Sequence, residues 1–208
     1  MSAPASRNHS GKKVYSGDLV AGSLLVRESR QVAQLLLCGG GKAKWDESVL
    51  TENALQKRSP VSAKRQARLI RNRLKLMGPE AWERISSGSA EVATQFLLAG
   101  AIKQSRLLGD FMNQVIREHQ RTFQNEISYH DWDKFFRTCA QVEPSIESWT
   151  ETTVKKVRQV IFRILAEAGY IDDTRSRRLL PVAVLPEIKQ YLLNHKEEYV
   201  LRCMEVNQ

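Results

Sequence analysis

The stretch 57-KRSPVSAKRQARLIRNRLKLM-77 decides how this chain is read. Ser59 followed by Pro60 marks a helix start, because the hydroxyl can accept an orphan amide hydrogen bond and proline there forfeits no helical bond. Beyond it Ala63, Ala67, Ile70, Leu74 and Met77 recur at four and three residues, which draws one apolar stripe. Lys64, Arg68, Arg71 and Lys75 form a second stripe, roughly 100° round the helix from the first. Between Lys57 and Lys75 stand eight basic residues and no acidic one. A solvated helix face ordinarily mixes its signs to gain pairs one turn apart, so an unpaired cationic stripe beside a core face points to a polyanion. A merely solubilising face is the alternative.

The totals agree with that reading. In 208 residues, 42% hydrophobic, there is ample material for a packed core, in one large or two small domains. A net charge of +9 and a pI near 9.6 favour nucleic acid or an anionic membrane surface as partner. Cys38, Cys139 and Cys203 are odd in number, far apart and set in apolar contexts, which suits small buried hydrophobes in a reducing compartment. The first thirteen residues hold no apolar run that could act as a signal, and the longest apolar runs, such as 96–102, are too short to cross a bilayer. A cytoplasmic location is expected, with residues 1–13 a disordered basic arm.

Upstream of the basic helix, a helix is expected from Ser23 to Leu37, stopped by three glycines. The loop CGGGKA at 38–43 is not a Walker A site: Leu36 and Ala43 occupy the places that require glycine and a hydroxyl. Lys44 to Thr51 reads as a short helix with Trp45 and Leu50 inward, closed by Asn53. Two helices, the second cationic, outline a helix-turn-helix. Ser62, Lys64 and Arg65 then lie nearest base edges, with Lys57, Arg58, Arg68 and Arg71 on phosphates and Lys75 also counted among the DNA-binding residues. The connection from Glu52 to Arg58 is longer than in the standard motif, which weighs against base readout more than against phosphate contact.

Downstream, helices over 80–85, 90–102 and 106–123 read as scaffold, with Phe96, Leu97, Leu107, Leu108, Phe111, Val115 and Ile116 in the core. Asp110, Glu118 and His119 read as satisfied polar residues. Ser128 with Asp131 forms a capping box for a helix to Ala140, with Trp132, Phe135, Phe136 and Cys139 inward. A second box, Ser148 with Glu151, opens a helix to Ala168 that Gly169 ends. There Val157, Ile161, Ile164 and Ala168 face the core, while Thr152, Lys156, Gln159 and Arg163 face out. Residues 170–182, carrying Arg175, Arg177 and Arg178, read equally as the short β-hairpin of a winged helix or as an irregular loop. Pro186 opens a closing helix from Glu187 to Met204.

No cysteine or histidine pair has zinc spacing, and neither a nucleophile elbow, a dinucleotide fingerprint nor a kinase signature is present. The expectation is a binding protein with no catalytic residue, metal, cofactor or small-molecule substrate.

Four segments, YSGDLVAGSLLVRESRQVAQLLL, LQKRSPVSAKRQARLIRNRL, QSRLLGDFM and RQVIFRILAEAGYIDDTRSRRLLPV, resemble in order the BrxA family of BREX bacteriophage-exclusion systems. The resemblance implies a small cytoplasmic helical component of a bacterial phage defence, working beside a DNA methyltransferase, an ATPase and a phosphatase-like protein. It also implies that the segment from Lys57 to Lys75 and the RSRR cluster face DNA. We therefore expect an all-α protein: one compact helical domain over 14–208, with a helix-turn-helix-like half over 14–88 and a winged-helix-like half over 89–208. Its basic faces would hold double-stranded DNA mainly by phosphates, with specificity supplied by partner proteins. An RNA-binding module of the antitermination-factor kind and a protein-interaction scaffold are the alternatives.

Overall fold

The structure, a computed structural model, describes residues 15–39 and 41–207, apart from the Asp18 side chain. The expected arm over 1–13 lies outside the described residues. The protein is all-α, and its architecture follows from α5 (Ala90–Gln104). In α5 Val92, Ala93 and every residue over 95–102 are buried, so the helix has no wet side there and has to be enclosed. Ser89 caps it, accepting from the Val92 amide at 3.2 Å. Around it pack α1 (Val26–Cys38), α3 (Pro60–Lys75), α4 (Pro79–Ser87), α6 (Arg106–Phe111), α10 (Pro186–Asn194) and α11 (Glu198–Met204). Gly100 permits the close approach of α3: a Cβ there would lie 3.2 Å from Arg73 Cγ and 3.3 Å from Met77 Cγ.

α6 runs on through a π-helical stretch, Met112–Ile116, into α7 (Arg117–Arg121). Beside them lie α8 (Tyr129–Val142) and α9 (Glu151–Glu167), joined in an aromatic cluster: Phe111 meets Trp132 at 5.5 Å, Phe135 at 5.2 Å and Phe162 at 5.9 Å between centroids. The Ser128–Asp131 capping box is formed in both directions. Gly169, at φ +78°, follows α9 as expected.

Several boundaries differ from expectation. α1 begins at Val26 because Ser23 and Leu24 are held in a short strap by the Glu167 carboxylate and Leu25 turns left-handed at φ +53°. The expected short helix is α2 (Gly41–Asp46) followed by a π-helical turn, Glu47–Thr51. A π turn advances the faces by one residue, so Val49 is buried and Leu50 is exposed, not inward. The box at Ser148 does not form: Ser148 donates to the Ser145 carbonyl at 2.7 Å, and Thr150 caps α9 by accepting from the Thr153 amide at 3.2 Å. A 3-10 turn, Pro144–Ser148, absorbs the residues that would have built it. The closing helix is two, α10 and α11, broken where Lys196 adopts φ +57°. Cys38 is exposed at the end of α1, whereas Cys139 and Cys203 are buried.

Among the described residues 170–182 form no strand and therefore no wing. Two isolated antiparallel bridges, Ile171 with Leu179 and Glu126 with Arg178, pin an irregular loop. Asp172 draws the loop onto itself, accepting from the Ser176 hydroxyl at 2.7 Å and from the Arg178 amide at 2.9 Å. Pro181, lacking an amide hydrogen, then stops any ladder.

Candidate nucleic-acid interface

α3 presents the predicted two faces. Ala63, Ala67, Ile70, Leu74 and Met77 are all buried. Arg58, Lys64, Arg65, Arg68 and Lys75 are exposed and meet no carboxylate among the described residues. Ser59 has the extended N-cap conformation but its side chain makes no cap bond, and Ser62 is half-buried. Two expected contacts are otherwise engaged. Lys57 is ion-paired with Glu28 of α1, and Arg71 lies 4.5 Å above the Trp45 ring. Partial burial pulls the Glu28 carboxyl up, but the Lys57 hydrogen bond and the helix amide bring it below its ordinary value. The long connection is a closed knot: Asn53, at φ +49°, brackets Lys57 by donating to its carbonyl at 3.0 Å and accepting from its amide at 2.9 Å.

Arg73, on the same helix, is fully buried. It donates to the Ser23 carbonyl at 2.8 Å and to Gln104 Oε1 at 3.1 Å. Burial pushes its guanidinium down to about 10, against the pull of the Glu167 charge. Since Glu167 in turn accepts from the Ser23 hydroxyl at 2.7 Å and the Leu24 amide at 2.8 Å, the strap ties α3 to the C-terminal end of α9.

On α9, Val157, Ile161 and Ile164 are buried, Ala168 is half-buried, and Thr152, Lys156, Gln159 and Arg163 are exposed. Lys156 and Arg163 meet no carboxylate among the described residues. The loop arginines divide. The Arg175 side chain is exposed and meets no carboxylate among the described residues, although its amide donates to Asp173 Oδ1 at 2.5 Å. Arg177 lies 4.5 Å over the Tyr129 ring and donates to the Ile127 carbonyl at 2.8 Å, while Arg178 pairs with Asp172 at 2.9 Å. The Ser176 hydroxyl and Arg178 hold the Asp172 carboxyl far below its ordinary range. Arg163 and Arg175, read separately in the sequence, line one cleft of about 480 Å³ with Gln159, Arg158, Phe162 and Tyr129.

Tyr129 and Arg158 escaped the sequence reading. Tyr129 is the first residue of α8, one step past the Ser128 cap, and is exposed. It stacks on Phe162 at 8° and 5.8 Å, and Arg158 lies 4.1 Å over it. The usable signal was position: an aromatic at the first helical place, beside a cap, points out of the stripe formed by Trp132 and Phe135.

Asp110 is indeed a satisfied polar residue, accepting from Tyr15 at 2.9 Å, Tyr199 at 2.8 Å and Arg106 at 3.1 Å. Burial, with the nearby carboxylate, pushes both phenols up. His119 lies 3.3 Å from Asp131. Among the described residues no cluster of three or more histidine, cysteine or acidic side chains could hold a metal, and no helix is long and apolar enough to cross a membrane.

This arrangement has relatives. A BrxA family model matches residues 13–196. A protein of Paramagnetospirillum magneticum (strain ATCC 700264 / AMB-1), named BREX protein BrxA, is 42% identical over 193 residues, covering 93% of this chain and 97% of the relative. A protein of Escherichia coli O9:H4 (strain HS) with the same name is 33% identical over 193 residues, covering 93% and 91% of the two chains. A third so named, from Bacillus cereus (strain H3081.97), is 29% identical over 183 residues and 88% of each. The crystal structure of an uncharacterized protein from Magnetospirillum magneticum superposes with a TM-score of 0.86 at 40% identity, covering 93% of this chain and 99% of that one. With the family model spanning most of the chain and relatives matched nearly end to end, this protein belongs to the BrxA family.

Proposed function

We propose that this chain is a non-enzymatic component of a bacterial BREX phage-defence system that holds double-stranded DNA, mainly by its phosphates. Membership of the defence system rests on the relatives, which carry the name BREX protein BrxA. DNA contact rests on one observation: Lys64, Arg65, Arg68 and Lys75 are exposed along α3, and Arg58 just ahead of it, with no carboxylate to neutralise them among the described residues. In this reading α3 lies along the duplex, with Ser62, Lys64 and Arg65 nearest base edges and the other cations on phosphates. α9 and the loop arginines add the second cationic face. Binding is then weakly sequence-selective, and specificity comes from cytoplasmic partners, a methyltransferase, an ATPase and a phosphatase-like protein.

Salt titration tests it. Neutralising about six phosphates gives a log-log slope of roughly −5 for duplex DNA. Replacing Lys64, Arg65 and Arg68 with alanine lowers the affinity and flattens the slope by about 1, the share of Arg68, which is the one of the three placed on a phosphate. A triple variant that matches the parent at every ionic strength removes α3 from the interface. Preference for RNA would instead favour the antitermination-type module, and salt-independent indifference to all nucleic acids the protein scaffold.

A further inference from the structure

The two cationic faces differ in shape and chemistry. On α3 the free cations stand on an exposed helical ridge. The free cations Arg163 and Arg175 instead rim a cleft of about 480 Å³, a volume in the range of small-ligand sites. Its lining carries three arginines and no acid: Arg158, Arg163 and Arg175, with Gln159 and Thr174 as neutral hydrogen-bonding groups and Tyr129 and Phe162 as aromatic wall. The wall is fixed in advance. Tyr129 is stacked on Phe162 and held by two guanidinium groups, Arg158 at 4.1 Å and Arg177 at 4.5 Å, so neither ring has to be ordered on binding. Arg158 is committed to the ring more than to its carboxylate: Asp133 lies 3.7 Å away, and the Arg158 Nε has no acceptor among the described residues.

A pocket that combines two arginines, Arg163 and Arg175, whose side chains meet no carboxylate among the described residues, an amide side chain and a preset aromatic wall suits a phosphate ester attached to a planar heterocycle. We propose that the cleft between α8, α9 and the 172–178 loop is a mononucleotide site. Arg163 and Arg175 take the phosphate, Gln159 reads the edge of the base, and the Tyr129–Phe162 wall with its bound arginines packs against the base or sugar. The nucleotide is either a free nucleoside monophosphate or the phosphorylated end of a DNA strand, since both present this chemistry. The inference deepens the DNA reading of the second face, but it is separable from the α3 docking surface because different residues carry the two.

Isothermal titration of the full chain tests the site with thymidine monophosphate and deoxyadenosine monophosphate, against the matching nucleosides and inorganic phosphate. We expect saturable binding of at least one monophosphate, about tenfold or more tighter than its nucleoside or phosphate alone. Arg163→Ala with Arg175→Ala should weaken it by about tenfold, as should Tyr129→Ala, with unchanged thermal unfolding serving as the fold control. Lys64→Ala with Arg68→Ala should leave it unchanged while weakening duplex DNA. Competition by a 5′-phosphorylated duplex, but not by its dephosphorylated twin, identifies the strand end as the source. Displacement only by free nucleotide identifies the free molecule, and either result supports the site. Inorganic phosphate binding as tightly as the nucleotides, or no saturable binding of any of them, overturns it.

Discussion

Arg73 occupies α3 beside the exposed cations and gives none of its charge to the surface. Its guanidinium closes the Ser23 carbonyl and Gln104, and its aliphatic stem packs against Gly100. Replacement with methionine keeps much of the volume but leaves the buried Ser23 carbonyl and the half-buried Gln104 amide oxygen unpaired, so we expect a loss of about 1 to 3 kcal/mol in urea unfolding. Duplex affinity through the exposed cations should change little in the folded variant, unlike the response to Lys64→Ala. Asp131 carries a pH dependence. Burial raises its pKa, but the Ser128 hydroxyl and amide, with His119, outweigh that and leave the folded value below the ordinary one. A carboxyl depressed in the folded state stabilises above its unfolded pKa, near 4, and loses that contribution as pH falls through the folded value. Asp131→Asn should therefore be less stable than the parent at neutral pH. The difference should shrink below about pH 4 in unfolding curves followed across pH.

α6 and α11 meet where Gly109 leaves room for Tyr199, whose hydroxyl would lie 2.4 Å from a Cβ at that position. Gly109→Ala must push Tyr199 off Asp110 or part the two helices, at a cost of about 1 to 3 kcal/mol in thermal or chemical unfolding. Nothing in the sequence marks this glycine, because the residue it accommodates comes 90 positions later. What was legible has a local cause. The stripes of α3 and α9, the Ser128 box and the Gly169 stop are set by periodicity within one helix or by a cap a few residues away. What was missed depends on distant partners or on a change of helical pitch. Ser23 leaves α1 because Glu167 holds it, Leu50 turns outward because it lies within a π turn, and Thr150 displaces Ser148 because a 3-10 turn intervenes. The candidate interface divides in the same way. Exposure of Lys64, Arg68, Lys156 and Arg163 follows from stripe geometry. The pairing of Lys57 with Glu28, the stacking of Arg71 on Trp45 and the meeting of Arg163 with Arg175 required the assembled fold.

In the whole molecule both cationic helices are fastened to one short strap. Arg73 of α3 donates to the Ser23 carbonyl, and Glu167 of α9 accepts from the Ser23 hydroxyl and the Leu24 amide. Two weak phosphate-binding faces gain most when held at a fixed separation, since engaging the first raises the effective concentration of the second. The strap offers a test in which two effects have opposite signs. Glu167→Gln removes a negative charge from a protein of net charge +9, and by the long-range field alone that strengthens attraction to DNA. If the faces act together on one duplex, the same substitution loosens the carboxylate grip on Ser23 and Leu24, and binding weakens despite the gain in charge. We expect weaker binding of a long duplex in fluorescence anisotropy, with little change or a slight gain for a duplex too short to span both faces. Equal strengthening for both lengths would mean that α3 and α9 bind independently, and the strap would then serve stability alone.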